Sequence, residues 1–226
     1  MTRSQPAYGE GVGTGFLAGL TTRDLRPLQE ALLNHPLWTG VADGTTTREQ
    51  LARFALQDMF LVRESYRLDA LAIAKAPTVE AADALTAKLI PKVGAEDVLI
   101  RFGEAVGLTR QAFDEAAPLA PCLGLTAQFY YHLARSSFAE AVACLGASET
   151  IFLELCGRID APLRAYGFAD DTLEFWSFHA GLEAAERATT EMLRPLVRTE
   201  AEREAVTRAA ELCYGFERLF YDAVLG

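Results

Sequence analysis

The chain has 226 residues, half of them apolar, and its 31 acidic against 21 basic side chains give a formal net charge of −10. That length suits one sizeable domain whose core needs no disulfide or metal staple. The acidic balance argues against a nucleic-acid backbone or an anionic membrane as the main partner, because both select basic patches.

Residues 1–20 hold five glycines and read as a flexible N-terminal segment leading into a domain over 21–226. Thr22-Arg23-Asp24 can cap a helix through about Leu33, stopped by Asn34-His35-Pro36, and Asp43-Gly44 reads as a turn. Thr47 opens a long helical run ended by Pro77. Further helices are expected at about 79–90, 94–106, 109–116, 123–135, 137–158, 170–193 and 200–225, with Pro118, Pro121, Pro162 and Gly167 as punctuation. No short run alternates with β-branched enrichment, so no strand is expected. The pattern predicts an all-α, single-domain bundle.

No segment approaches the roughly 18 uncharged apolar residues of a membrane span, and the first residues lack an apolar signal core. Cys122, Cys144, Cys156 and Cys213 form no C-x-x-C pair, which points to reduced thiols and a cytoplasmic protein. Only three of the 21 basic residues are Lys, an Arg-rich usage attributable to base composition.

The acidic residues separate when placed on their helices at about 100° per residue. Glu149 shares its face with Val142, Leu145, Phe152, Leu153 and Cys156, whereas Glu140, Glu154 and Arg158 lie opposite. Glu217 falls among Val206, Ala210, Cys213, Phe220, Tyr221 and Val224. Asp58 is flanked by Leu51, Phe54, Leu61 and Val62, on a stripe that also carries Ser65 and Asp69. An unpaired buried carboxylate costs several kcal/mol, so such a group pairs, binds metal or takes up a proton. For any one of the three, an ion pair to an Arg is an equal explanation. Three on separate helices point to a shared polar pocket, with Asp58, Glu149 and Glu217 as catalytic candidates.

His179, Glu183 and Glu186 fall on one helical face, and with Glu149 they offer the nitrogen and oxygen donors that suit one first-row metal ion, iron or manganese. Glu183 is alternatively a surface partner of Arg187. His35 reads as shaping the turn before Pro36, and either Tyr130 or Tyr131, beside His132, can line a pocket. No Cys lies beside a basic activator, and no phosphate-loop, dinucleotide or G-x-S-x-G signature is present.

The segments NHPLWTGVADGTTTREQLARFALQDMF, LIPKVGAEDVLIRFGEAVGL, ASETIFLELCGRI and YGFADDTLEFWSFHAGLEAAER together resemble the TenA/PqqC/CADD superfamily from about residue 24 to the last helix. The resemblance implies a haem-oxygenase-like fold, a small-molecule substrate and a homodimer or homotetramer. The CADD-like branch implies a non-haem iron oxidase. Its ligand pattern matches Glu149 and His179, places Glu183 and Glu186 where Asp and a second His are expected, and puts Lys92 and Leu99 at the first ligand pair. At most one complete metal site would remain. The TenA branch implies a cofactor-free hydrolase of aminopyrimidines in thiamin salvage. Its Asp matches Asp58 and its Glu matches Glu217; its nucleophilic position falls on Glu149, and its pocket tyrosines become Leu61 and Leu153. The divergent oxidase is the leading expectation, the hydrolase is the alternative, and a non-catalytic binding protein is the third. Leu61, Tyr130 and Leu153 are the expected pocket lining.

Overall fold

The computed structural model describes residues 16–180 and 183–226, without the side chains of residues 91 and 183–187. Every regular element among them is helical: α1 (Arg26–Leu33), α2 (Pro36–Asp43), α3 (Arg48–Lys75), α4 (Val79–Leu89), α5 (Ala95–Ala105), α6 (Arg110–Glu115), α7 (Ala120–Arg135), α8 (Phe138–Ala165), α9 (Glu174–His179), α10 (Glu183–Leu193) and α11 (Glu200–Leu225), with short 3-10 turns between. The three longest helices begin with the same device. Thr47, Ser137 and Thr199 each accept the N–H three residues on, while Gln50, Glu140 and Glu202 reach back to the cap N–H. Each box satisfies two donors that a helix start otherwise leaves unpaired.

Helix α8 runs through the centre and packs against α2, α7, α9, α10 and α11, while α3 lies against α4, α5 and α7. An aromatic cluster joins these layers: Phe54 of α3 meets Trp38 at 5.1 Å and Trp176 at 5.3 Å, and Trp38 meets Tyr221 edge-on at 5.2 Å. All four rings are fully buried, each contributing roughly 1.5–3 kcal/mol of burial. Among the described residues no helix is long and apolar enough to cross a membrane.

Four details differ from the sequence expectation. Residues 16–20, expected as the end of a flexible segment, belong to the core: Phe16, Leu17 and Leu20 are buried, and Leu17 N–H donates to Thr190 Oγ1 at 3.3 Å. Gly146 makes room for Phe16, since a Cβ there would stand 2.5 Å from its ring. Residues 1–15 lie outside the described part. Pro36 does not only stop α1; it starts α2, with His35 Nδ1 accepting the Leu37 N–H at 3.2 Å and Gly44 closing the helix at φ +73°. Pro at the first helical position loses no hydrogen bond. Pro162 lies within α8, near its end, where the carbonyl it frees belongs to the exposed Arg158. The helix expected over 170–193 is instead a 3-10 turn, α9 and α10, and α9 ends at His179.

Candidate active site

The long helices enclose a cavity of about 140 Å³ whose lining draws on α3, α4, α7, α8, α9 and α11. A void of that size suits a ligand of about one ring. Its walls are largely apolar, with Leu61, Val62, Phe129, Phe152, Leu153 and Phe175 among them. Two polar groups of opposite character interrupt that surface.

The first is acidic. Asp58 on α3 and Glu217 on α11 both line the cavity, at 5% and 2% exposure. Ser148 Oγ donates to Glu217 Oε2 at 2.8 Å, while Asp58 makes no hydrogen bond to a described residue. No cation is among the groups that act on either carboxyl. Burial pushes Asp58 up to about 8, helped by the charge of Glu217. Burial also pushes Glu217 up to about 7, against hydroxyls of Tyr221 and Ser148 that favour its ionised form. Two carboxyls in a low-dielectric pocket cannot both ionise at neutral pH, so the pair holds at least one proton there.

The second group is compensated. Lys88, at the end of α4, hydrogen-bonds Glu149 and also donates to Thr189 Oγ1 at 3.2 Å. Lys92 Nζ lies 2.7 Å from Asp69 Oδ2 and 3.8 Å from Glu149 Oε1. Burial raises the Glu149 carboxyl, but Lys88, Lys92 and His179 outweigh it and hold it down at about 2. Burial likewise opposes the Lys92 ammonium, and Glu149 and Asp69 more than reverse that. His179 Nδ1 donates to the Phe175 carbonyl at 2.5 Å, which puts the basic lone pair on Nε2. Burial pushes its pKa down, so the ring is neutral at pH 7.

Of the sequence candidates, Asp58, Glu149, Glu217, His179, Leu61 and Leu153 all line this cavity. Tyr130 does not: its hydroxyl bonds Glu64, and the preceding residue, Phe129, faces the cavity instead. One position is a rotation of about 100° on a helix, enough to move a side chain off the face. The side chains of Glu183 and Glu186 lie outside the described part. Leu99 is a fully buried core residue.

Lys88, Phe129, Phe152 and Phe175 were not singled out as site residues in the sequence, although a signal existed for the lysine. In a chain with only three lysines, two, Lys88 and Lys92, line one cavity. All four cysteines are free and buried, and burial pushes the Cys122 thiol up to about 12 and Cys156 and Cys213 higher than usual. None of these three is set up as a thiolate nucleophile.

Iron or manganese fits the described side chains poorly. A divalent cation held by Glu149 would sit beside two ammonium groups, which repel it strongly where water is scarce. Among the described residues no group of three or more His, Cys, Asp or Glu is arranged to hold a metal ion.

Comparison with known proteins places the architecture. A family model described as the TENA/THI-4/PQQC family matches residues 22–226. A TenA homologue from Pseudomonas syringae pv. tomato superposes with a TM-score of 0.83 at 15% identity, over 99% of this chain and 98% of the other. A TenA family transcription regulator from Silicibacter sp. TM1040 gives 0.77 at 20% identity, over 94% and 98%. A domain of unknown function with a haem oxygenase-like fold from Shewanella denitrificans gives 0.74 at 16%, over 88% of each chain. At these identities the structures show the fold, which is haem-oxygenase-like. Among curated proteins none matches.

Proposed function

The chain belongs to the TENA/THI-4/PQQC family, and from that premise we propose that it is a small-molecule hydrolase of the TenA kind, cleaving a carbon–nitrogen bond of an aminopyrimidine or a similar amine-bearing ring. The observation that carries this reading is the Asp58/Glu217 pair, two buried carboxyls lining the cavity whose pKa values are lifted to about 8 and about 7. Such a pair can hold one proton and lack another at neutral pH, which is what hydrolysis asks of an acid and a base. One carboxylate takes a proton from the attacking water as the carbon–oxygen bond forms. The other carboxyl gives its proton to the departing nitrogen as the carbon–nitrogen bond breaks. Phe129, Phe152 and Phe175 supply the aromatic surface for a flat ring that Leu61 and Leu153 lack. Glu149, tied to Lys88, is a fixed charge in this scheme rather than a proton carrier.

A metal-dependent oxidation is the second reading, supported by the neutral His179 beside Glu149 in the cavity. The experiment that separates them is a product assay on aminopyrimidines run with chelator, and again after anaerobic Fe(II) loading and exposure to O₂. Amine release that survives the chelator supports the hydrolase. Product only with iron and O₂, together with iron bound in proportion to protein and lost in E149A and H179A, supports the oxidase.

A further inference from the structure

Asp58 and Glu217 are chemically alike and share one cavity, yet their partners differ. Ser148, itself only 6% exposed, precedes Glu149 on α8 and turns toward α11. Its hydroxyl donates to Glu217 Oε2 at 2.8 Å. Asp58, 5% exposed, lines the cavity with no hydrogen bond to a described residue, so its free acid group is the one left to meet a ligand.

The other titratable groups coupled to the two acids are three thiols and a phenol. Cys122 of α7 and Tyr221 of α11 feel the charge of both carboxyls, Cys156 of α8 that of Asp58, and Cys213 of α11 that of Glu217. Burial keeps the three thiols and the phenol neutral at physiological pH. No cation acts on either carboxyl. The asymmetry comes mainly from hydroxyls acting on Glu217, Tyr221 more strongly and Ser148 less, and of the two only Ser148 makes a hydrogen bond of regular geometry. A hydroxyl that donates to a carboxylate favours the ionised form.

We propose that Ser148 is a positioning residue that divides the pair, making Glu217 the proton acceptor and leaving Asp58 as the protonated group that donates to the ligand's nitrogen. This inference deepens the hydrolase reading and rests on it for its catalytic meaning, but the division of the pair is measurable without any substrate.

The test is a carbon-13 NMR titration of the two side-chain carboxyls, assigned with D58N and E217Q, in wild type, S148A and S148T. In wild type Glu217 ionises first. In S148A its midpoint rises by about one to two pH units, the worth of one hydrogen bond to a charge, and Asp58 becomes the first to ionise. S148T, which keeps the hydroxyl, restores the wild-type order. Circular dichroism establishes that both variants fold. Unchanged midpoints in folded S148A overturn the inference, even if wild type hydrolyses aminopyrimidines. Inverted midpoints in a protein that hydrolyses none of them leave the division of the pair standing and remove the hydrolase reading. If both stand, S148A lowers kcat about tenfold or more with little change in KM and moves the pH optimum.

Discussion

Two pairs of acids share one cavity and differ in the groups that surround them. No cation is among the groups that act on Asp58 or Glu217, and burial lifts both well above the usual carboxylate range. Glu149 and Asp69 are interleaved with Lys88 and Lys92, and Glu149 is held down at about 2. The residue types are the same, so the partners decide. An acid that has kept its proton can donate one; an acid clamped by ammonium groups can only supply charge and shape. On the proposed reading, that division makes the Asp58/Glu217 pair the reactive part of the site and the lysine-bearing network its frame.

Removing either acid of the first pair gives the largest expected effect on the proposed reading. D58N and E217Q should each reduce turnover by about 10²–10⁴-fold while leaving the circular dichroism spectrum unchanged. Steady-state kinetics check this, and full activity in E217Q would break the contrast. Breaking the frame should act on stability instead. K88M leaves Glu149 with Lys92 as its one ammonium partner, 3.8 Å away, and should cost about 1–3 kcal/mol in urea unfolding, less than for a fully buried pair because both side chains keep some exposure. K88M/E149Q should recover most of that, because no uncompensated charge remains.

The two groups should also respond to pH with opposite signs. Asp58 and Glu217 have folded pKa values raised above their ordinary 3.8 and 4.5, to about 8 and about 7. Their contribution to stability is therefore complete below about pH 4 and lost as pH rises toward 8. Glu149 runs the other way. Lowered from 4.5 to about 2, it contributes above about pH 4.5 and loses that contribution as pH falls through 2. Of these three carboxyls only the first pair changes between pH 5 and 8, with a loss on the order of a few kcal/mol. That loss is partly offset because His132 and His179, lowered by burial from 6.5, gain stability as pH rises. Thermal melts should show a smaller loss in E217Q. The smallest effect belongs to Y130F, whose hydroxyl bonds Glu64 outside the cavity lining. It should change stability by less than about 0.5 kcal/mol and leave turnover unchanged.

Much of this was legible from periodicity, and the failures have physical causes. The helix faces of Asp58, Glu149 and Glu217 follow from 3.6-residue spacing, because each lies mid-helix among apolar neighbours. Tyr130 was misplaced because periodicity does not distinguish adjacent aromatics: Phe129 lines the cavity while Tyr130 bonds Glu64. Lys88 was invisible because it enters the cavity near the end of α4, where the partners that tolerate it, Glu149 and Thr189, come from α8 and α10. Pro36 carries two meanings, stop and start, and only the packing of α2 under Trp38 and Val41 selects the second. The end of α9 at His179 has no Pro to announce it.

The central claim is that one cavity holds protonated and ionised acids side by side, and infrared spectroscopy of the carboxylic C=O stretch tests it directly. At pH 6 wild type should show protonated carboxyl bands, one lost in D58N and one in E217Q, with E149Q leaving both intact. Absence of those bands, or their loss in E149Q alone, would contradict the account.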